Sequence, residues 1–214
     1  MASTKIFILR HAETDKNTLK KARSSRELHA TTETDVVATP ASEAPDPMNS
    51  SLMFAKNCRL NNRGQIQANV IGDYFNSIDH RVSAIYSSPL LRAVETADIL
   101  IKRLGTGSDI SFDVDDRLFC GRRDKSTDVV DLASDLQELV TDLVSEHKGS
   151  DVILVTHNHI FNILHTLFVA KTDTGTDPRK YKVENCGISC LDFTDHGVKV
   201  VYWGKRVKVT YDLV

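Results

Sequence analysis

The chain has 214 residues and a formal net charge of −2, with 41% hydrophobic and 26% charged residues. This length suits one domain with a sizeable buried core, and the composition is that of an ordinary globular protein. The near-zero net charge argues against a strongly basic nucleic-acid-binding protein, and no apolar run is long enough to cross a membrane. Without a secretory pattern, and with four scattered cysteines, the sequence favours a cytoplasmic protein.

The first part of the chain contains a strand and then a long polar segment. Residues 5–9 form an apolar run typical of a strand that is buried on both faces. Residues 18–57 are rich in Ser, Thr, Ala, Glu and Pro and show little periodicity. This composition predicts a low-complexity surface insertion, either mobile or a lid, within a single domain over residues 1–214.

A helix and a strand–helix unit are predicted next. Asn61 or Asn62 can cap the helix. Its apolar positions recur at helical spacing and are Ile66, Val70, Ile71 and Phe75. A short strand at 84–86 follows, and Pro89 then suits the first turn of a helix that runs to about residue 103.

The second half of the chain repeats this alternation. The predicted elements are a strand at 110–114, a helix at 129–147, a strand at 152–155, a helix around 160–167, and strands at 188–193 and 198–203 joined by a turn at 195–197. Strands that alternate with helices predict a three-layer α/β/α domain with a mostly parallel central sheet. Cys186 and Cys190 are expected to share one strand face as small packing residues rather than to bind zinc.

Polar residues follow three of the predicted strands, at the point where each strand ends. They are Arg10 and His11, Ser88 and Arg92, and Thr156 and His157. In open α/β sheets, ligands collect beyond the carboxyl ends of the strands. Two imidazoles and two guanidiniums are therefore expected to meet on one rim.

This set of side chains suits phosphoryl transfer. A guanidinium binds two phosphate oxygens at once and keeps its charge, and a neutral imidazole is a competent nucleophile. We expect a second, protonated histidine to hold phosphate oxygens, together with backbone amides at the start of the helix after Pro89. No metal is expected, because no further ligand is spaced to join His157 and His159.

Four motifs stand in order along the chain. They are RHAETDKN at 10–17, LNNRGQIQA at 60–68, SSPLLRAVETA at 87–97 and VTHN at 155–158. Together they resemble the motifs of the histidine phosphatase superfamily, which includes the phosphoglycerate mutases. The resemblance implies a phosphoglycerate mutase-like fold and no metal or organic cofactor. It also implies that His11 is transiently phosphorylated, and that the phosphate is bound by Arg10, Asn17, Arg92 and His157.

The resemblance does not extend to the proton donor. Many relatives place a Glu in a Leu-x-Glu segment, whereas residues 115–121 read DDRLFCG, with Cys120 at that position. A thiol with an unperturbed pKa near 8.5 is a poor substitute for a carboxylic acid. The candidate donors are Asp115, Asp116 and Asp124, and the pattern favours a substrate with a good leaving group.

These observations predict a cofactor-independent phosphatase that acts on a phosphorylated small molecule or a phosphoprotein through a phosphohistidine on His11. Two alternatives stay open: phosphoglycerate mutase-type phosphoryl transfer, and a catalytically weak phospholigand-binding or scaffold protein. The missing Glu counts against the mutase and favours the scaffold. Retention of both histidines and both arginines argues against the scaffold. No nucleic-acid or membrane partner is expected, and the sequence specifies no oligomeric state.

Overall fold

One six-stranded sheet forms the centre of the protein. The computed structural model describes residues 3–20, 58–78, 80–105, 109–119, 129–169 and 182–207. Its strands are β1 (Thr4–Arg10), β2 (Val82–Ser87), β3 (Ser111–Val114), β4 (Asp151–Thr156), β5 (Ile188–Thr194) and β6 (Gly197–Lys205). Their order across the sheet is β3-β2-β4-β1-β5-β6. The four strands from β3 to β1 pair in parallel, and β5 and β6 add two antiparallel pairings.

Helices cover both faces of the sheet. They are α1 (Asn62–Ser77), α2 (Leu91–Leu104), α3 (Val129–Glu146) and α4 (Asn158–Phe168). Residues 15–20 are also helical, and Asp116–Leu118 form a 3₁₀ turn. None of the helices in the described ranges is long and apolar enough to cross a membrane.

Successive residues of a strand point to opposite faces, and this divides the core into two clusters. Ile6 and Ile8 of β1 pack with α3 and α4, whereas Phe7 and Leu9 pack with α1 and α2. All six residues of β4 are buried. The predicted three-layer α/β domain with a mostly parallel sheet is therefore confirmed.

The predicted face of α1 is wrong at one position. Ile66 is 61% exposed, whereas Gly64, Ala68, Ile71 and Phe75 are buried. These four residues form a row at spacings of three and four, and Ile66 lies on the far side of the helix from that row. Helical spacing alone admitted Ile66, because the sequence does not show that the row of Gly64 is the one that packs against the rest of the protein.

Two further local expectations need correction. Pro89 precedes α2 rather than entering its first turn, since the helix begins at Leu91 with Leu90 as its N-cap. Cys186 does not share a strand face with Cys190, because it lies in the turn before β5 with a positive φ of 58°. Both thiols are nevertheless buried in the core against α1 and α2, as predicted. The predicted insertion falls mainly outside the described residues, apart from residues 18–20 in the helical segment.

Candidate active site

Three neighbouring strands bring the candidate site together. β2, β4 and β1 lie side by side, and their carboxyl ends lead into Ser88, His157 and His11. Backbone bonds extend the sheet past the strand ends: the amide of His11 donates to the Thr156 carbonyl at 2.9 Å, and that of Ser88 donates to the Val155 carbonyl at 3.0 Å. These bonds fix the backbones from which the polar side chains project.

The Arg92 guanidinium lies between the two imidazoles. Its Nε donates to Nε2 of His11 at 3.1 Å, and its Nη2 lies 3.3 Å from Nδ1 of His157. The two imidazole ring centres are 5.0 Å apart. Arg92 is placed by the first turn of α2, so one helix N-terminus delivers the cation that contacts both histidines.

The hydrogen bonds of His11 determine its tautomer. Nδ1 lies 2.7 Å from the carbonyl oxygen of Ala12, which can only accept, so Nδ1 carries the proton. Nε2 is therefore unprotonated, and its lone pair accepts from Arg92. Burial, the Arg92 guanidinium and, to a lesser extent, Arg10 lower the pKa of His11 from 6.5 to about 3, against the opposing bond to Ala12. His11 is thus neutral at physiological pH.

His157 has the opposite tautomer and is also neutral. A guanidinium only donates, so Nδ1 of His157 accepts from Arg92, and Nε2 donates to the Ser88 hydroxyl at 2.8 Å. Burial, followed by His11, Arg92 and Arg10, lowers the pKa of His157 well below its ordinary 6.5. Without a bound anion His157 is therefore neutral, because burial and the nearby Arg92 and Arg10 oppose a further positive charge. The expected protonated histidine in contact with phosphate stays a prediction.

Arg10 ends β1 beside His11. Its Nη1 donates to the Val183 carbonyl. Its Nε is buried and has no hydrogen-bond partner among the described residues. Burial lowers the pKa of Arg10 and Glu184 opposes this effect, but a guanidinium stays charged in proteins. An N–H donor on a permanent cation is therefore available next to His11.

The motifs at 60–68 and 87–97 hold the loop that carries His11. The amide of Ala12 donates to the Thr96 hydroxyl at 3.1 Å, and the amide of Glu13 donates to Gln67 Oε1 at 3.0 Å. The amide of Asn61 donates back to the Glu13 carbonyl at 3.1 Å. A side chain at Gly64 would place its Cβ 2.1 Å from that same carbonyl oxygen, so α1 approaches the loop as closely as only glycine allows.

Asn17 and Asn185 form a second polar cluster behind His11. Asn17 Oδ1 accepts from the amide and hydroxyl of Thr14, at 3.1 and 2.9 Å, and from Asn185 Nδ2 at 3.3 Å. Asn185 Nδ2 also donates to the His11 carbonyl at 3.0 Å. Sequence reasoning missed Asn185. The sequence carries no local signal for it, because Asn185 reaches this edge only through the antiparallel pairing of β5 with β1.

The candidate proton donors are not brought into this cluster by any described contact. The Asp115 carboxylate accepts from the backbone amide, Nε and Nη2 of Arg117, which in turn contacts Asp142 of α3. These bonds raise the pKa of Arg117. Asp116 is exposed at the start of the 3₁₀ turn. Asp124 and Cys120 lie outside the described residues. In the described part of the chain, no three His, Cys, Asp or Glu side chains are grouped to hold a metal.

The family model of the histidine phosphatase superfamily (branch 1) matches residues 47–119 and 121–206. The chain belongs to this superfamily. The match begins after the 10–17 motif and does not include His11. In this histidine phosphatase superfamily member, the placement of His11 in the candidate site therefore rests on the contacts described above. No curated protein matches the chain in sequence.

Solved structures with the same fold include phosphatases and a mutase. A mycobacterial glucosyl-3-phosphoglycerate phosphatase is 18% identical with a TM-score of 0.63, and the alignment covers 95% of this chain and 100% of that one. An Entamoeba histolytica phosphoserine phosphatase mutant in complex with phosphoserine is 16% identical, with a TM-score of 0.59 and coverages of 94% and 96%. A Bacillus anthracis phosphoglycerate mutase is 14% identical, with a TM-score of 0.65 and coverages of 95% and 93%. At these identities the similarity establishes the fold.

Proposed function

We propose that this protein is a phosphatase that hydrolyses a phosphate monoester through a phosphohistidine on Nε2 of His11. The observation that carries the proposal is the tautomer of His11. The Ala12 carbonyl holds the proton on Nδ1, and the neutral ring directs its Nε2 lone pair at Arg92, the cation best placed to bind a phosphate. An imidazole in this state needs no base to become a nucleophile.

The reaction has two displacement steps at phosphorus. In the first, Nε2 of His11 attacks, a P–N bond forms, the P–O ester bond breaks and the leaving oxygen takes a proton. In the second, water attacks the phosphohistidine, the P–N bond breaks and inorganic phosphate leaves. Arg10 and Arg92 neutralise the charge that spreads over the phosphoryl oxygens, which is the main demand of phosphoryl transfer.

His157 and Asn17 complete the proposed phosphate pocket. A phosphate dianion beside His157 would raise the pKa of this ring, so His157 gains its proton as the substrate binds. Nε2 of His157 already donates to Ser88, and protonation would turn Nδ1 from an acceptor of the Arg92 bond into a second donor, so the phosphate would replace that bond. Binding of the anion and protonation of His157 therefore favour each other.

The proton donor determines which leaving groups the proposed phosphatase can accept. Asp115, Asp116 and Asp124 all stay proposed donors, and the oxygens of Asp115 accept from Arg117. A leaving group of low pKa needs little protonation in the transition state. We therefore propose a phosphorylated small molecule or phosphoprotein whose leaving group departs readily.

Comparing three substrates tests this proposal. Purified protein is offered an aryl phosphate, an alkyl phosphate and 3-phosphoglycerate, and both inorganic phosphate release and phosphoglycerate isomerisation are followed. We expect hydrolysis of the aryl ester to be the fastest. Isomerisation without net hydrolysis would favour a mutase. Absence of turnover with retained phosphate binding would favour the scaffold alternative.

Trapping the phosphoenzyme tests the nucleophile directly. Rapid quenching during aryl phosphate turnover is expected to yield one acid-labile, base-stable phosphate on His11 per chain. His11→Ala is expected to remove both the adduct and the turnover. His159→Ala is the matched control, because His159 is exposed on the first turn of α4, two residues from His157. Wild-type turnover by His11→Ala would exclude the mechanism.

A further inference from the structure

A turn at 183–187 packs against the back of the candidate site. The turn and the end of β1 exchange two backbone bonds, from Arg10 N to the Gly187 carbonyl and from Cys186 N to the Arg10 carbonyl, both at 3.1 Å. Val183 accepts from the Arg10 side chain and donates its amide to Asn158 Oδ1 at 2.9 Å. The turn therefore contacts the residues next to both His11 and His157.

The backbone conformation of this turn is fixed by its own contacts. Cys186 adopts a positive φ of 58°, which few non-glycine residues accept unless the surroundings hold them there. The Gly187 amide donates to the Glu184 carbonyl at 2.8 Å, and a Cβ on Gly187 would lie 2.6 Å from Val183 Cγ1. Asn185 sits inside this constrained segment, so its side chain starts from a fixed position.

Asn185, together with Thr14, holds the oxygen of the Asn17 amide and so leaves its nitrogen for a ligand. Three donors converge on Asn17 Oδ1, from Thr14 and Asn185. If the Asn17 amide were flipped, its NH₂ group would face these same donors. The observed orientation therefore keeps the oxygen of Asn17 engaged within the protein and leaves its two N–H donors for an anion.

We infer that Asn185 is a positioning residue that holds Asn17 as a hydrogen-bond donor to the substrate phosphate. It acts through Asn17, and its second bond, to the His11 carbonyl, ties the same side chain to the nucleophile loop. This inference rests on the proposed function of the site. It adds a specific cause of phosphate affinity that lies outside the four motifs.

Two substitutions of Asn185 distinguish a positioning role from a packing role. Binding of inorganic phosphate is measured by calorimetry, which needs no turnover, together with kcat and KM for an aryl phosphate. Asn185→Ala is expected to weaken phosphate binding about tenfold through loss of one charge-assisted contact. Asn185→Asp keeps the size but puts an acceptor against the His11 carbonyl and Asn17 Oδ1. We expect it to weaken binding about a hundredfold. A residue that only filled space would show the reverse order.

A double-mutant cycle tests the route through Asn17. In an Asn17→Ala background, Asn185→Ala is expected to change phosphate affinity less than about twofold, because the amide that it orients is gone. Asn76→Ala is the control, since this asparagine donates to the Arg103 carbonyl at the far end of α1. Equal effects of Asn185→Ala in both backgrounds would overturn the inference, as would a milder effect of Asn185→Asp than of Asn185→Ala.

A variant of Asn17 keeps the inference testable if substitutions at 185 prevent folding. Asn17→Asp still accepts from Thr14 and Asn185 but replaces the two N–H donors with a carboxylate oxygen. Phosphate affinity is expected to fall about a hundredfold while the thermal midpoint stays unchanged. Wild-type affinity in Asn17→Asp would overturn the inference. Failure of the proposed function itself would appear differently, as wild-type protein that binds phosphate without hydrolysing any ester.

Discussion

Two pairs of histidines lie at opposite edges of the same sheet. At the carboxyl edge, His11 and His157 both contact Arg92. At the amino edge, His80 Nδ1 lies 2.8 Å from a carboxylate oxygen of Asp151. There His147 contacts the hydroxyls of Tyr86 and Ser83, at 3.1 and 3.2 Å.

In the proposed mechanism, the partners of these rings, rather than their place at strand ends, distinguish the nucleophile His11 from a structural histidine. A carboxylate or hydroxyl satisfies the ring and holds it in place at the amino edge. At the carboxyl edge each ring has an oxygen partner on one nitrogen and the Arg92 cation on the other, and this cation stabilises the neutral ring and its lone pair. An incoming phosphate offers that same cation a better partner.

Replacing the cation is expected to have the largest effect on this contrast. Arg92→Gln keeps a polar side chain but removes the charge, and kcat/KM for an aryl phosphate is expected to fall about a hundred- to a thousandfold. The matched change at the amino edge, His80→Gln, is expected to leave kcat/KM within about twofold of wild type. Similar losses in both variants would mean that the two edges are not functionally distinct.

Two glycines of α1, one beside the loop that carries His11 and one far from it, allow the same comparison for side-chain packing. A Cβ at Gly64 would meet the Glu13 backbone at 2.1 Å, whereas one at Gly72 would meet the Arg103 side chain at 2.5 Å. The Glu13 backbone belongs to the loop that carries His11, so Gly64→Ala is expected to cost about 2–3 kcal/mol of unfolding free energy and most of the activity. The atom that Gly72 would meet is Cβ of Arg103, which is fixed to the backbone of α2, so Gly72→Ala is expected to cost a similar amount of unfolding free energy but to leave kcat/KM within about twofold of wild type. Denaturant titration with parallel activity assays would measure both, and equal losses of activity would contradict the prediction.

Acid titration tests the neutral state of the buried His11. The pKa of His11 is about 3 in the folded protein and about 6.5 when unfolded, so the unfolded chain binds more protons between these values. The contribution of neutral His11 to the unfolding free energy is therefore fully present above pH 6.5. It is lost as the pH drops towards 3, by about 1.4 kcal/mol per pH unit. His11→Gln is expected to reduce this slope in urea titrations between pH 4 and 6.5. An unchanged slope would place the pKa of His11 near its ordinary value.

The smallest expected effect concerns the amino edge itself. Asp151→Asn replaces the charged acceptor of His80 with a neutral one and is expected to reduce the unfolding free energy by about 1 kcal/mol, without changing kcat/KM. In a His80→Gln background the same substitution is expected to cost less, because the paired ring is absent. Loss of activity in Asp151→Asn would show that this edge communicates with the site.

Most of the regular structure could be predicted because its cause is local. The apolar runs of β1 and β4 and the spacing on α3 carry their own signal. The side chains that flank His11 and His157 could also be located, since parallel strands end at one edge. Ile66 could not be assigned correctly, because the buried row of α1 depends on the close approach of Gly64 to another loop.

Residues defined by distant contacts were missed. Asn185 reaches His11 only because β5 pairs antiparallel with β1, a choice that no local pattern at 183–187 reveals. The engagement of Asp115 with Arg117 depends on the 3₁₀ turn between them, and the contact of Arg117 with Asp142 depends on the packing of α3. The neutral state of His157 without an anion could not be predicted for a related reason, since it depends on burial and on Arg10 and Arg92, which come from a strand and a helix far apart in the sequence.

The parallel pairing of β1 with β4 has a consequence for how the protein folds. Lys5 pairs with Asp151 and Arg10 with Thr156, so the two histidines meet only after a very long loop has closed. Such non-local pairing slows folding, and no partial chain that lacks β4 can assemble the site. A phosphate analogue that binds the assembled rim stabilises only chains in which this closure is complete, by RT ln(1 + [L]/Kd). A bound ligand of this kind therefore raises the fraction of completely folded molecules.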